Sequence, residues 1–227
     1  MTNHIRHMTN HIRHMANHIR HMSNHNTDPQ LQQALDYYRA IGFAPDEERW
    51  VTARKDSTTK IFAWRSDGIW ECRYAGREDE SDGGLSIWEP ATQTPVTWAD
   101  FERLATTGWN FFSHPNHVRG GLGNKHARAF TSLFYEIDDL SLEAQHEKLG
   151  YLKSLGLQPA VVIYSGGKSL HCYIRLDREI EQGIWLRLNR ALTVVMNGDP
   201  AINSFSRAMR LPGVERRREG KPTTRVE

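Results

Sequence analysis

Apolar and polar residues follow two rhythms along this chain. Leu31, Leu35 and Tyr38 recur at helical spacing. Thr27 or Asp28 would cap that helix, Pro29 opens its first turn, and Gly42 stops it. Between residues 50 and 74 the rhythm turns strand-like: Trp50-Val51-Thr52-Ala53-Arg54, Lys60-Ile61-Phe62-Ala63-Trp64 and Ile69-Trp70-Glu71-Cys72-Arg73-Tyr74. Turn chemistry such as Ser66-Asp67-Gly68 parts these blocks. Trp64, Trp70 and Trp88 are expected to pack on the sheet, and the acidic stretch 77–84 reads as an exposed loop. A short helix follows over 97–106 with Thr97 as cap, then a strand at Trp109-Asn110-Phe111-Phe112 and a polar loop over 113–121.

The second half repeats the alternation more strongly. Leu133-Phe134-Tyr135-Glu136-Ile137-Asp138 reads as a buried strand, and Ser141 caps a helix running through Leu149 and Leu152 to Gly156. Val161-Val162-Ile163-Tyr164, a Gly166-Gly167 turn and a strand from Ser169 to Leu176 come next, with Asp177 as a turn residue closing that strand. Ile180, Ile184, Leu188, Leu192 and Val195 recur at helical spacing, which predicts a core-facing stripe. From residue 109 the order is strand, loop, strand, helix, strand, turn, strand, helix and loop. That order predicts an α+β domain with a mainly antiparallel sheet covered by helices.

Strand alternation places chemistry as well as core. Glu136 and Asp138 should point one way, with Leu133, Tyr135 and Ile137 pointing to a core. Two like charges side by side call for a positive partner, and a divalent metal ion is one candidate. A strand end with solvated acids is the other. Asp139 falls on the opposite face or in the following turn. On the later strand Ser169, His171, Tyr173 and Arg175 share a face, opposite Leu170, Cys172, Ile174 and Leu176. Asp199 sits in Asn197-Gly198-Asp199-Pro200, which also has strong turn chemistry. The block Ser206-Arg207-Ala208-Met209-Arg210-Leu211-Pro212-Gly213 follows.

An acidic pair on one strand, Ser-x-His on a later strand and a third acid resemble the three-motif signature of the archaeo-eukaryotic primase superfamily. The resemblance is to its primase-polymerase branch, found in plasmid, phage and cyanobacterial replication proteins. Gly166-Gly167-Lys168-Ser169-x-His171, the Arg207-x-x-Arg210-Leu211-Pro212-Gly213 block and Arg119-Gly120-Gly121 carry it, over residues 109–214. It implies an RRM-like catalytic module, beside a small N-terminal α/β lobe over 27–108. It implies Glu136, Asp138 and Asp199 as catalytic acids holding two divalent metals, Mg2+ or Mn2+, which would clamp an in-line phosphoryl displacement. Many members carry two aspartates in the first motif, where this chain has Glu136. It further implies Lys168, Ser169, His171, Arg207 and Arg210 around the nucleotide. The polar loop should sit near the acidic strand, which makes Arg119, Asn124 and Lys125 candidates for touching nucleotide or template, with Arg175 a further candidate for the template. The expected activity is that of a nucleotidyltransferase, a DNA primase and polymerase. Its partners would be single-stranded DNA and nucleoside triphosphates.

Other templates fit poorly. Gly-Lys-Ser at 167–169 lacks the phosphate-loop glycine, because Val162 stands there. Ser165-x-x-Lys168 lacks the companion motifs of its enzyme class. Two distant cysteines, Cys72 and Cys172, make no zinc site and fit a reducing cytoplasm. No apolar run is long enough to cross a membrane, and no signal peptide is recognised. The formal charge is only +2, but seven basic residues lie between 207 and 225: Arg207, Arg210, Arg216, Arg217, Arg218, Lys221 and Arg225. Residues 215–227 read as a basic linker, which would fit a helicase domain or separate helicase as partner. Residues 1–26 hold near-copies of one heptad, with Met1, Ile5, Met8, Ile12, Met15, Ile19 and Met22 at alternating spacing, and read as a low-complexity tail. Two further classes stay open: a metal-dependent nuclease using the same acids, and a non-catalytic nucleic-acid-binding module. The Ser-x-His block argues against the first and the intact acids against the second.

Overall fold

The computed structural model describes residues 28–75, 87–92, 94–119, 122–217 and 224–226. The heptad tail, the acidic loop, Gly120, Gly121, Arg218, Lys221 and the Trp88 side chain lie outside the described residues.

Helix α1 (Pro29–Ile41) starts where the Asp28 carboxylate accepts from the Gln30 N–H, with Pro29 at its first position. It ends at Gly42, whose φ of 111° suits glycine. Strands β1 (Arg49–Lys55), β2 (Thr58–Arg65), β3 (Gly68–Ala75) and β4 (Ile87–Pro90) form an antiparallel meander. Helix α2 (Trp98–Thr106) opens on a capping box between Thr97 and Asp100. Then come β5 (Asn110–Ser113), β6 (His117–Val118), β7 (Ala127–Glu136), α3 (Leu142–Ser154), β8 (Val161–Tyr164), β9 (Leu170–Ile180), α4 (Gln182–Met196), β10 (Met209–Arg210), β11 (Glu215–Arg216) and β12 (Thr224–Arg225).

The strands form a six-stranded sheet ordered β10-β5-β1-β2-β3-β4, a four-stranded sheet ordered β6-β7-β9-β8, and the hairpin β11-β12. Every strand pair is antiparallel. This is the expected α+β architecture, with four α-helices among the described residues. The expected boundary at residue 109 runs through one sheet, since β5 and β10 join the strands of the N-terminal half. Hydrogen bonding of β5 to β1, and of β10 to β5, rather than sequence distance, decides where those two strands belong.

One core joins the two sheets. Tyr37, Tyr38, Phe62, Phe101, Phe111, Phe134, Tyr173 and Trp185 all belong to it. The Tyr37 and Tyr173 rings meet edge-on, 5.2 Å between centroids. A second cluster, with Tyr135, Ile137, Leu152, Cys172, Ile174, Leu192 and Met196, covers the other face of the four-stranded sheet. Residues of both parities on β7 and β9 are therefore buried, which explains the continuous apolar run around Phe134.

Three sequence expectations change. The strand bearing the acids ends at Glu136, so Asp138 stands just beyond it and Asp139 is exposed in the turn. Strand β9 runs on to Ile180, so Asp177 lies within a strand, and Ile180 is not helical. On α4 the buried residues are Trp185, Asn189, Leu192, Thr193 and Met196, while Ile184, Leu188 and Val195 are exposed. The reason is the bare edge of β7 beyond the short β6. There Trp185 Nε1 donates to the Ser132 carbonyl at 2.8 Å, and Asn189 Oδ1 accepts from the Phe134 N–H at 2.9 Å. Satisfying buried backbone groups outweighs burying three more aliphatic side chains.

Within the segment 215–227, read as a basic linker, the described residues Glu215–Arg216 and Thr224–Arg225 pair as β11 and β12. Val226 is buried, and its N–H donates to the Val214 carbonyl at 3.2 Å. Both cysteines are free and buried. Among the described residues no helix is long and apolar enough to cross a membrane.

Candidate active site

Glu136 and His171 face each other across the β7–β9 ladder, as partners in its register. His171 Nε2 lies 2.9 Å from Glu136 Oε2. The other oxygen, Oε1, accepts from Arg207 Nη2 at 2.8 Å, and the same nitrogen stands 3.6 Å from Asp199 Oδ2. Burial alone would raise the Glu136 pKa. His171 and Arg207 outweigh it and hold the carboxyl down at about 2. Beyond the strand end, Asp138 accepts a short hydrogen bond from Ser169 Oγ, and Lys168 Nζ lies 3.9 Å away.

These groups line one cavity of about 210 Å3: Glu136, Asp138, Lys168, Ser169, His171, Arg207 and Arg210, with Phe112, Ser165, Ala208 and Arg216. Four cations there face two carboxylates, an excess that favours a polyanion. Asp199 does not line the cavity, although it reaches Arg207. Its backbone N–H donates to the Glu136 carbonyl at 2.9 Å, and its side chain caps the Ala201 N–H. Asp199 thus caps a turn, as its Asn197-Gly198-Asp199-Pro200 context suggests, and stands behind Arg207. A Cβ on Gly198 would stand 2.9 Å from the Glu136 carbonyl oxygen, so this close approach needs glycine.

The three template candidates lie elsewhere. Arg175 donates to the Arg39 carbonyl at 3.0 Å, at the end of α1. Arg119 is exposed and Lys125 sits in a short 3-10 turn, and neither lines the cavity.

Several residues that sequence reasoning passed over position the site. Gln145 of α3 is buried. It donates to the Leu140 and Lys168 carbonyls at 2.9 and 2.7 Å, and accepts from the Leu170 N–H at 2.7 Å. It thereby ties the turn after Glu136 to the start of β9. The loop before Arg207 is held from the polar segment 113–124. His114 Nδ1 donates to the Ser206 carbonyl at 3.1 Å, Asn116 donates to the Phe205 carbonyl at 3.0 Å, and Asn124 Oδ1 accepts from Ser204 and Ser206. Burial depresses the His114 pKa to about 4, against the opposing pull of the Ser206 carbonyl. Asn124 thus serves as a clamp on the arginine loop. A cluster of polar residues seventy or more positions from the loop gave no local signal of this pairing.

Carboxylate oxygens are the right donors for Mg2+ or Mn2+. Their arrangement does not fit a two-metal centre. Among the described residues no group of three or more His, Cys, Asp or Glu side chains stands close enough to hold a metal ion. Glu136 is engaged by His171 and Arg207, and Asp138 by Ser169. The Arg207 guanidinium is itself the positive charge between Glu136 and Asp199.

No protein-family model matches the chain. No curated protein matches it in sequence. Solved structures do match. The AEP domain of the primase-polymerase (PrimPol) of cyanophage S-2L superposes with a TM-score of 0.55 at 22% identity, covering 86% of this chain and 88% of that one. The primase RepB' superposes with a TM-score of 0.55 at 16% identity over 87% of this chain, which spans 55% of RepB'. The catalytic domain of RepB', solved in complex with initiator DNA, gives a TM-score of 0.55 at 17% identity, covering 88% and 84%. The chain shares the fold of these AEP-domain primases.

Proposed function

We propose that the protein is a DNA primase-polymerase, which joins nucleotides on a single-stranded DNA template and extends the primers it makes. The observation that carries this reading is the cavity itself. Glu136 at the end of β7 and Asp138 just beyond it meet Ser169 and His171 at the start of β9 under four basic side chains, on a fold shared with primases.

In nucleotidyl transfer a 3′-hydroxyl attacks the α-phosphorus of a nucleoside triphosphate. A new P–O bond forms, the bond to pyrophosphate breaks, and the hydroxyl proton departs. Lys168, Arg207, Arg210 and Arg216 supply positive charge for the triphosphate and the leaving pyrophosphate. Ser169 and His171 add donors to phosphate oxygens. Glu136 and Asp138 supply the negative charge that receives the proton or a cation, with Asp199 behind them. Glu136, Asp138 and Asp199 are the residues that would hold a divalent ion, which would add Lewis-acid charge at the phosphate, were Arg207 to turn away from Glu136. A triphosphate offers Arg207 the alternative partner that would let it go.

The test is product synthesis on unprimed single-stranded DNA with labelled nucleotides and Mg2+ or Mn2+. Wild type runs beside Asp138→Ala and His171→Ala. New oligonucleotides from wild type, lost in both variants, are expected. Template degradation would mean a nuclease, and DNA binding without product a non-catalytic module.

A further inference from the structure

The six-stranded sheet has one face against the main core, through Val51, Ala53, Phe62, Phe111 and Met209. Its other face carries a different set at the β10-β5-β1 end. Arg210 stands opposite Phe112, Phe112 opposite Thr52, and Arg54 opposite Asn110. Directly opposed residues, and residues two apart on one strand, share a face. Arg54, Asn110, Phe112 and Arg210 therefore form one surface across three neighbouring strands.

Phe112 is the centre of that surface. The Arg210 guanidinium lies 4.4 Å from its ring centroid and that of Arg54 lies 5.4 Å away. Stacking holds a planar guanidinium flat and leaves its N–H edges to make hydrogen bonds in the sheet plane. Arg210 donates to Asn110 Oδ1 at 3.0 Å. Arg54 is exposed and, among the described residues, forms no ion pair. Around them lies a groove of about 630 Å3 lined also by Lys55, Asp56, Thr106, Thr107, Gly108 and Arg217. Asp56 is the single acid against four cations.

The groove joins the candidate active site. Phe112 and Arg210 line both the groove and the acid cavity. Three adjacent strands span about 10 Å, the reach of two or three successive phosphates. An open, basic groove with a stacked aromatic floor matches the chemistry of a polynucleotide backbone better than that of a compact anion, which a closed cradle would hold.

We propose that the Arg54–Phe112–Arg210 surface, with Lys55 at its outer end, is the track along which the single-stranded template reaches the acid cavity. This rests on the primase-polymerase reading for the identity of the strand. It does not rest on catalysis, since the track would bind a strand without turnover.

The experiment measures binding of a labelled oligothymidylate to the full chain by fluorescence anisotropy at several salt concentrations, with no nucleotide and no metal. Wild type is compared with Arg54→Ala, Lys55→Ala and the double variant. The same proteins are titrated with a fluorescent nucleoside triphosphate. Both side chains are exposed, so melting temperatures should stay unchanged, and Arg54→Lys should recover part of the binding. Each alanine is expected to weaken strand binding by about fivefold at ~100 mM salt and to flatten the log–log salt slope by about 0.7. Triphosphate affinity should move by less than about twofold. Unchanged strand affinity and slope in the double variant would overturn the track, as would wild type that binds no oligonucleotide. An equal loss of triphosphate affinity would overturn it too, because the groove would then hold the nucleotide. Track-dependent binding without primer synthesis would sink the primase reading alone. Synthesis by wild type with unaltered strand binding by the variants would sink the track alone.

Discussion

Arg207 holds Glu136 from across the fold, Nη2 to Oε1 at 2.8 Å over a sequence separation of 71 residues. The side chains are 30% and 10% exposed, so water screens the pair only partly. The guanidinium also reaches Asp199, so it joins two of the three candidate acids.

Arg207 and a divalent cation should therefore compete. Arg207→Ala is expected to bind Mn2+ about tenfold more tightly than wild type by isothermal titration calorimetry, since two carboxylates lose their protein cation. It should also bind triphosphate more weakly. Equal or weaker Mn2+ binding would show that Arg207 does not occupy the cation's place.

The same pair sets one limb of the acid stability curve. Glu136 has its folded pKa lowered from 4.5 to about 2. Its contribution is present above the unfolded value and is lost as pH falls from about 4.5 toward 2. The shift corresponds to about 3 kcal/mol. Denaturant unfolding should lose that much over this window in wild type and not in Glu136→Gln, which starts less stable because Arg207 and His171 lose their partner.

His114 governs the limb above it. It is buried, with its pKa lowered from 6.5 to about 4. The unfolded chain takes up the proton first, so stability falls as pH drops from about 6.5 to 4 and is intact above. The loss should approach about 3 kcal/mol. Glu136 is inert for most of this window, so a flat profile between pH 6.5 and 5 in His114→Gln would assign the slope to this histidine. A slope that survives the substitution would assign it elsewhere.

Gln145 makes three hydrogen bonds that hold the turn after Glu136 against the start of β9. Gln145→Leu should cost about 2–3 kcal/mol, because two carbonyls and an N–H are left without it. If it positions the site, KM for triphosphate should rise about fivefold while kcat changes less. Stability loss with unaltered KM would limit Gln145 to a structural part.

Glycine substitutions separate close approach from helix propensity. Gly198→Ala drives a Cβ to 2.9 Å from the Glu136 carbonyl oxygen, a backbone atom that cannot swing away. A loss of about 2 kcal/mol is expected by thermal unfolding, with a weaker site. Gly150→Ala meets nothing within 4 Å on α3 and should gain up to about 1 kcal/mol. Equal effects at the two positions would contradict the packing described at Gly198.

Much of the site was legible because its residues fall in short blocks. Alternation put Glu136 and Asp138 on one side of their strand and Ser169 and His171 on one side of a later strand, whereas the β7–β9 pairing that brings them together, with Asp138 and Ser169 just outside the two strands, came only with the fold. The capping of α1 by Asp28, of α2 by Thr97 and of α3 by Ser141 was equally readable, since a cap is a bond within three residues. The face of α4 was misread because Ile184 and Leu188 carry a strong apolar signal, while the decisive bonds from Trp185 and Asn189 go to an edge of β7 that no α4 residue reveals.

What the sequence determined by itself was local: element types, caps, turns, and which side chains share a strand face. These depend on neighbours two to four positions away, whose geometry the backbone fixes. What only the tertiary structure decided was pairing at a distance: Arg207 on Glu136, Asn124 under the arginine loop, Gln145 between two turns, β5 beside β1, and β10 beside β5. Those contacts compete with many others of similar local chemistry. The choice among them falls to whichever packing buries the aromatic core of Tyr37, Phe134, Tyr173 and Trp185 while leaving few backbone groups unsatisfied.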